Sequence, residues 1–213
     1  AAARAVHLIS EERLTTYGDS VYRSRTARVE ANLAYSIVRK LRGRVPEYED
    51  MDDAIAAEER KLKFKLAPEQ KNAIKTALNS KLCVITGGPG TGKTSVQRAL
   101  LDLYRRKYPA AKITCCAPTG KAARRMEQST GVPACTVHKA LGLIANEDGQ
   151  YGEPEMLEAD LVLVDEVSML DVYLAENLFR AIPHNSRLIL VGDSDQLPSV
   201  GPGAVVKEII SSG

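Results

Sequence analysis

The chain has 213 residues, 44% hydrophobic and 26% charged, with 29 Lys+Arg against 27 Asp+Glu and a formal net charge of +2. That length suits one substantial domain, or one with a small appendage, and the composition excludes a disordered tail, a collagen-like chain and a disulfide-dense scaffold. Apolar stretches such as Leu161-Val162-Leu163-Val164 are far too short to span a bilayer, and no basic segment followed by an apolar core opens the chain.

Residues 1–65 read as a small helical region with a connector. Val29, Leu33, Ile37 and Leu41 recur at near-helical spacing, Gly43 and Pro46 break the pattern, and residues 54–62 form a second helical stretch behind the acidic run Glu49, Asp50, Asp52 and Asp53. From residue 66 strands alternate with helices. Pro68 opens a helix with Ala73, Ile74, Ala77 and Leu78 on one face. Residues 82–86 form a strand, followed by a glycine loop and a helix carrying Val96, Ala99, Leu100, Leu103 and Tyr104. Strands over 113–117, 161–164 and 188–191 follow, with helices around 121–128 and 172–182. Such alternation predicts an α/β fold with a mostly parallel sheet.

The modest net charge hides an asymmetry. Residues 66–140 hold 13 basic and 3 acidic side chains, and residues 141–213 hold 3 basic and 13 acidic. A basic middle segment points to a polyanion, nucleotide or nucleic acid. The four cysteines, Cys83, Cys115, Cys116 and Cys135, lack C-x-x-C spacing, so buried thiols in a reducing, cytoplasmic setting are expected.

The strongest motif is Gly87-Gly88-Pro89-Gly90-Thr91-Gly92-Lys93-Thr94, which fits G-x-x-x-x-G-K-[ST] between a strand and a helix. Its glycines let backbone N–H groups turn inward around phosphates, and the helix N-terminus adds partial positive charge. Gly88, Pro89, Gly90, Thr91, Gly92, Lys93, Thr94 and Ser95 are the nucleotide-binding set, with Lys93 on the β- and γ-phosphates and the Thr94 hydroxyl on Mg²⁺. Asp165 and Glu166 end a strand where parallel sheets place ligands. Asp165 would hold Mg²⁺ and Glu166 would polarise the attacking water. After the next strand, Gln196 is the candidate to contact the γ-phosphate or that water. Lys93, Asp165, Glu166 and Gln196 form the catalytic set of an ATPase or GTPase.

Six segments in order narrow the reading: Leu66-Ala-Pro-Glu-Gln70, the phosphate loop, Ala117-Pro-Thr-Gly-Lys-Ala-Ala, Thr136-Val-His-Lys-Ala-Leu-Gly, Asp165-Glu-Val-Ser-Met-Leu and Gly192-Asp-Ser-Asp-Gln-Leu-Pro-Ser-Val-Gly-Pro-Gly. With these the chain resembles the RecD-like branch of superfamily 1 DNA helicases, closely over 66–213 and again around 15–38. The resemblance implies a RecA-like P-loop motor domain over 66–213 and a role in DNA repair or recombination. It gives Gln70 the reading of adenine, hence ATP as the nucleotide. It gives Pro118, Thr119, Gly120 and Lys121, then Thr136, His138 and Lys139, contact with single-stranded DNA. A hairpin insertion near 143–155, with Tyr151 as a candidate contact, would split duplex at a fork. It further implies 5′–3′ movement and a second RecA-like domain that supplies an arginine to the transferring phosphoryl group. Only Arg180 and Arg187 follow Glu166, so this chain alone is expected to hydrolyse ATP weakly. Ala1 in place of Met is what a fragment or a processed chain would show. Two alternatives stay open: the helicase part of a conjugative relaxase, and a nucleotide-gated DNA-binding module that does not translocate. No membrane partner is expected.

Overall fold

The computed structural model describes residues 2–143, 152–193, 195–196 and 199–212. Of the expected hairpin insertion near 143–155, residues 144–151, Tyr151 included, lie outside them.

The chain opens with α1 (Ala2–Ser10), then β1 (Leu14–Tyr17) and β2 (Ser20–Arg23), an antiparallel pair joined by Gly18-Asp19. A purely helical reading of 1–65 therefore misses a hairpin. Its four-residue strands are too short to set a period-2 pattern against the helices on either side. Next come α2 (Ser24–Leu41), α3 (Met51–Leu62) and α4 (Pro68–Leu78). Pro68 starts α4 because a first-turn residue needs no N–H partner.

The remaining elements are β3 (Leu82–Thr86), α5 (Lys93–Lys107), β4 (Ile113–Ala117), α6 (Gly120–Thr130), β5 (Ala134–Thr136), α7 (Val137–Ala140), β6 (Leu161–Val164), α8 (Val172–Ala181), β7 (Arg187–Gly192) and α9 (Val205–Ser211). The strands order as β3-β7-β6-β4-β5, and every pairing is parallel. The expected parallel sheet is thus present, widened at one edge by β5. That strand escapes sequence pattern because it has three residues and follows Pro133.

Alternate strand residues feed two cores. Leu161, Leu163, Ile189 and Val191 meet Ile74 of α4, Leu100 and Leu103 of α5 and Met126 of α6. Val162, Val164, Leu188 and Leu190 meet Leu33 of α2, Leu178 of α8 and Val205 of α9. All four β6 residues are fully buried, each leucine or valine contributing about 1.5–3 kcal/mol of transfer free energy. The N-terminal helices belong to these layers. α2 lies on α8, where the Thr26 and Tyr173 hydroxyls are 2.7 Å apart. α3 lies on α5, where the buried Glu58 carboxylate pairs with Arg106 at 2.5 Å and Lys61 at 3.3 Å. Among the cysteines, Cys83, Cys115 and Cys116 are buried, and burial pushes the Cys83 thiol up to about 11 and the Cys115 thiol up to about 12. Those thiols stay protonated and inert.

Candidate active site

Because all five strands run the same way, β3, β6 and β7 present their carboxyl ends at one edge of the sheet. The loop after β3, Asp165 and Glu166 after β6, and Asp193 and Gln196 after β7 together line a cleft of about 310 Å³.

The loop is shaped by its own hydrogen bonds. Gly90 and Gly92 take φ of +78° and +81°, a region that side chains disfavour. The Thr91 hydroxyl donates to the Gly88 carbonyl at 2.9 Å. The Lys93 ammonium donates to the same carbonyl at 2.9 Å and to that of Gly87. It is thereby held across the mouth of the loop, at the start of α5, where the helix dipole also favours an anion.

Behind β6, Asp165 and Glu166 adopt different conformations. The Asp165 backbone N–H donates to the Cys116 carbonyl at 3.0 Å, which ties the residue to β4. Its Oδ1 accepts from the Glu166 N–H at 2.9 Å. Glu166 has φ of +55°, a left-handed conformation for a non-glycine residue, and lines the cleft. Strain of this kind concentrates at functional sites. Gln196 also lines the cleft, and its Oε1 accepts from the Ser168 hydroxyl at 3.2 Å. Asp193 is 3% exposed, and its Oδ1 accepts from the Asp195 N–H at 3.0 Å.

Of the sequence-predicted residues, Gly88, Pro89, Gly90, Thr91, Gly92, Lys93, Thr94, Asp165, Glu166 and Gln196 converge here. Thr94 and Asp165 both line this cleft and bring a hydroxyl and a carboxylate to it, oxygen groups of the kind that could hold a divalent cation. Ser95 and Gln70 are not among the lining residues. Both ends of the Gln70 amide are engaged within the protein: Oε1 accepts from the Ala67 N–H and Nε2 donates to the Thr91 carbonyl, each at 2.9 Å. Gln97, Arg125, Met126 and Ser129 also line the cleft and escape sequence reading, and Gly192 and Asp193, quoted in the segment that holds Gln196 but given no role, line it too. Gln97 follows Lys93 by four residues, one helical turn, which is the signal that could have found it. Arg125 and Ser129 share a face of α6 by the same spacing, but Arg124 alongside makes the pattern ambiguous. Arg180 and Arg187 do not line the cleft.

Pro118, Thr119, Gly120 and Lys121 follow β4, and Thr136, His138 and Lys139 follow from β5. The two strands are neighbours with Ala117 and Thr136 in register, so the segments emerge side by side. Both threonines act as helix caps. Thr119 Oγ1 accepts from the Ala122 N–H at 3.2 Å, and Thr136 Oγ1 accepts from the Lys139 N–H at 3.1 Å. Lys121 and Lys139 are exposed beside them. Among the described residues no helix is long and apolar enough to cross a membrane.

The family model for the AAA domain matches residues 70–202, more than half of the chain. The ATP-dependent RecD2 DNA helicase of Deinococcus radiodurans is 37% identical over 196 residues, which cover 92% of this chain and 27% of that protein. The RecBCD enzyme subunit RecD of Haemophilus influenzae is 40% identical over 163 residues, 66% of this chain and 26% of that one. The chain therefore spans about a quarter of the length of these relatives. The solved UvsW helicase of bacteriophage T4 aligns with a TM-score of 0.51 at 14% identity, over 70% of this chain and 61% of that one, a likeness of fold. A nucleotide-binding P-loop, a parallel sheet that aims two carboxylates at it, and these matches together give the family: the chain belongs to the AAA-domain P-loop proteins, as a RecD-like member.

Proposed function

We propose that residues 66–213 form the first motor domain of an ATP-dependent 5′–3′ DNA helicase acting in repair or recombination. The observation that carries the reading is that one sheet edge bears both the nucleotide cleft and, one and two strands away from Asp165, the paired segments 118–121 and 136–139. Nucleotide chemistry and strand contact would thus share a rigid platform.

ATP would lie with its phosphates in the loop, the Lys93 ammonium exchanging its carbonyl partners for β- and γ-phosphate oxygens. Thr94 and Asp165 would hold Mg²⁺, which neutralises developing phosphate charge when bound. The Glu166 carboxylate would accept a proton as the water oxygen bonds to the γ-phosphorus and the bond to the β–γ bridging oxygen breaks, releasing ADP. Gln196, fixed by Ser168, would orient that water. Arg125 adds a cation to the cleft wall. Arg180 pairs with Glu153 at 2.5 Å, and Arg187 is buried against the Tyr104 and Tyr108 rings, so neither serves as a finger. A transition-state arginine from a second RecA-like domain is worth roughly 10³–10⁵ in rate in related phosphoryl transfers. Lys121 and Lys139 would neutralise DNA phosphates beside the capped turns.

The test is ATP hydrolysis by this chain with and without single-stranded DNA, with Lys93→Ala as the blank. Slow, Lys93-dependent turnover that DNA barely stimulates is expected. Robust DNA-stimulated turnover would show that the chain completes its own site, and nucleotide binding indifferent to Lys93 would overturn the reading.

A further inference from the structure

The opposite end of the sheet gathers cations around the end of α2, while its acids Glu158 and Asp160, before β6, are engaged by Lys112. The last turns of α2 carry Arg39 and Lys40, with Arg42 and Arg44 just beyond. Lys81 leads into β3 and His184 stands before β7. The groups are interlocked: the Lys40 ammonium donates to the Pro183 carbonyl at 3.1 Å, and the Lys81 ammonium donates to the Asn185 carbonyl. Gly43 lies so close to Lys81 that an added Cβ would stand 2.8 Å from its Cγ. Among the described residues none of these five cations, nor His184, has a carboxylate within 4.0 Å. Lys40 is 5% exposed, and burial, with repulsion from Lys81 and Arg39, lowers its pKa to about 8. An anion at this end would relieve that repulsion.

A groove of about 620 Å³ opens there, walled by Tyr35, Val38, Arg39, Arg42 and His184. The Tyr35 ring is 69% exposed. Guanidinium groups beside an exposed ring suit a chain that offers both phosphates and flat bases. The groove lies at the amino ends of β3 and β7, a strand length of roughly 3.3 Å per residue away from the edge carrying segments 118–121 and 136–139.

We propose that this groove is a second nucleic-acid contact, with Arg39, Arg42 and His184 on the phosphates of a single strand and Tyr35 stacked on one of its bases. That the anion is nucleic acid rests on the reading of the chain as a DNA motor.

The test is fluorescence anisotropy of labelled oligothymidine on the full 213-residue chain, titrated with rising NaCl. Three variants are compared with wild type: Arg39→Gln with Arg42→Gln, Tyr35→Ala, and Lys121→Gln with Lys139→Gln. The arginine pair should weaken binding about 5- to 10-fold and flatten the salt dependence by about 1.4 log units per log unit of salt, two phosphates at roughly 0.7 each. Tyr35→Ala should weaken binding about threefold or more with the salt slope unchanged. Lys93-dependent nucleotide binding and thermal unfolding should match wild type in both, which separates lost contact from lost fold. Unchanged affinity and slope in the arginine pair overturn the proposal. A poly-glutamate peptide that binds wild type as tightly as DNA does, and loses binding in the arginine pair, also overturns it in favour of an acidic protein segment. If the lysine pair is silent while the arginine pair is not, the strand path over 118–121 and 136–139 fails and the groove stands. The reverse result removes the groove and keeps the path.

Discussion

The side-chain amide of Gln70 bridges the first turn of α4 and the phosphate loop, accepting from Ala67 and donating to the carbonyl of Thr91, each at 2.9 Å. Thr91 in turn holds Gly88 at 2.9 Å. The loop's shape therefore depends on a residue outside the phosphate-loop motif, and in this arrangement Gln70 would act on a bound nucleotide through the loop.

Gln70→Ala removes both hydrogen bonds, and the one that holds the loop, to Thr91, is worth about 1 kcal/mol, so nucleotide affinity should fall roughly 5-fold. Gln70→Glu retains the acceptor for Ala67 but sets a carboxylate against the Thr91 carbonyl and beside the phosphates. It should cost more than Gln70→Ala. Titration of a fluorescent ADP analogue gives the order. An affinity for Gln70→Ala equal to that of wild type would mean that the donated bond does not shape the loop.

Glu166 combines a proposed role as proton acceptor with a backbone at φ +55°. Glu166→Gln removes the base and keeps the shape, so hydrolysis should fall about 10²- to 10⁴-fold with nucleotide affinity unchanged. Glu166→Gly also abolishes hydrolysis, but it relieves a left-handed strain of about 1–2 kcal/mol against an entropy cost of about 0.5–1 kcal/mol. A rise in Tm of roughly 1–4 °C is expected. A glycine variant that melts below wild type would show that the strain is repaid by contacts the side chain makes.

The edge of the sheet that lines the cleft was legible in the sequence because its parts are local. A strand, a glycine loop and Lys93 sit within a dozen residues, and Asp165 and Glu166 end an apolar run, so spacing alone carried them to one face of a parallel sheet. Arg125 and Ser129 were not legible as cleft residues. Each enters the cleft by the way α6 packs beside α5, which depends on contacts between distant segments. Gln70 was legible as a motif residue, but the partners of its amide were not, since Thr91 lies 21 residues away. The β1–β2 hairpin and β5 were lost because strands of three or four residues without the continuous apolar run of β6 hold too few alternations to stand out.

Gly192 ends β7 opposite Thr86. A Cβ there would stand 2.8 Å from Val167 Cγ2 and 3.3 Å from the Val167 nitrogen, in the turn that also carries Ser168. Val167 is fully buried and β-branched, so it cannot swing aside. Gly192→Ala should therefore cost about 1–3 kcal/mol through overpacking, and it should also shift Ser168 away from Gln196. Urea unfolding measures the first effect and ATP turnover the second. A fully stable and active variant would show that the turn yields freely.

Lys40 makes the stability of the chain depend on alkaline pH. Burial and the neighbouring Lys81 and Arg39 lower its pKa from 10.5 to about 8. Below about 8 the ammonium is charged in the folded chain, and its full cost is present. Between about 8 and 10.5 the folded chain has released the proton while the unfolded chain retains it, so the unfolded state binds more protons and this site's contribution to stability rises with pH. Other groups titrate over the same range, and the comparison with Lys40→Met cancels them. Whatever the offset at pH 7, the difference in unfolding free energy between wild type and Lys40→Met should move in favour of wild type as pH rises from 7 to 10. Denaturant titrations of both proteins at matched pH follow this difference. A difference that stays flat would place the Lys40 ammonium near its ordinary pKa, with its charge already compensated in the folded chain.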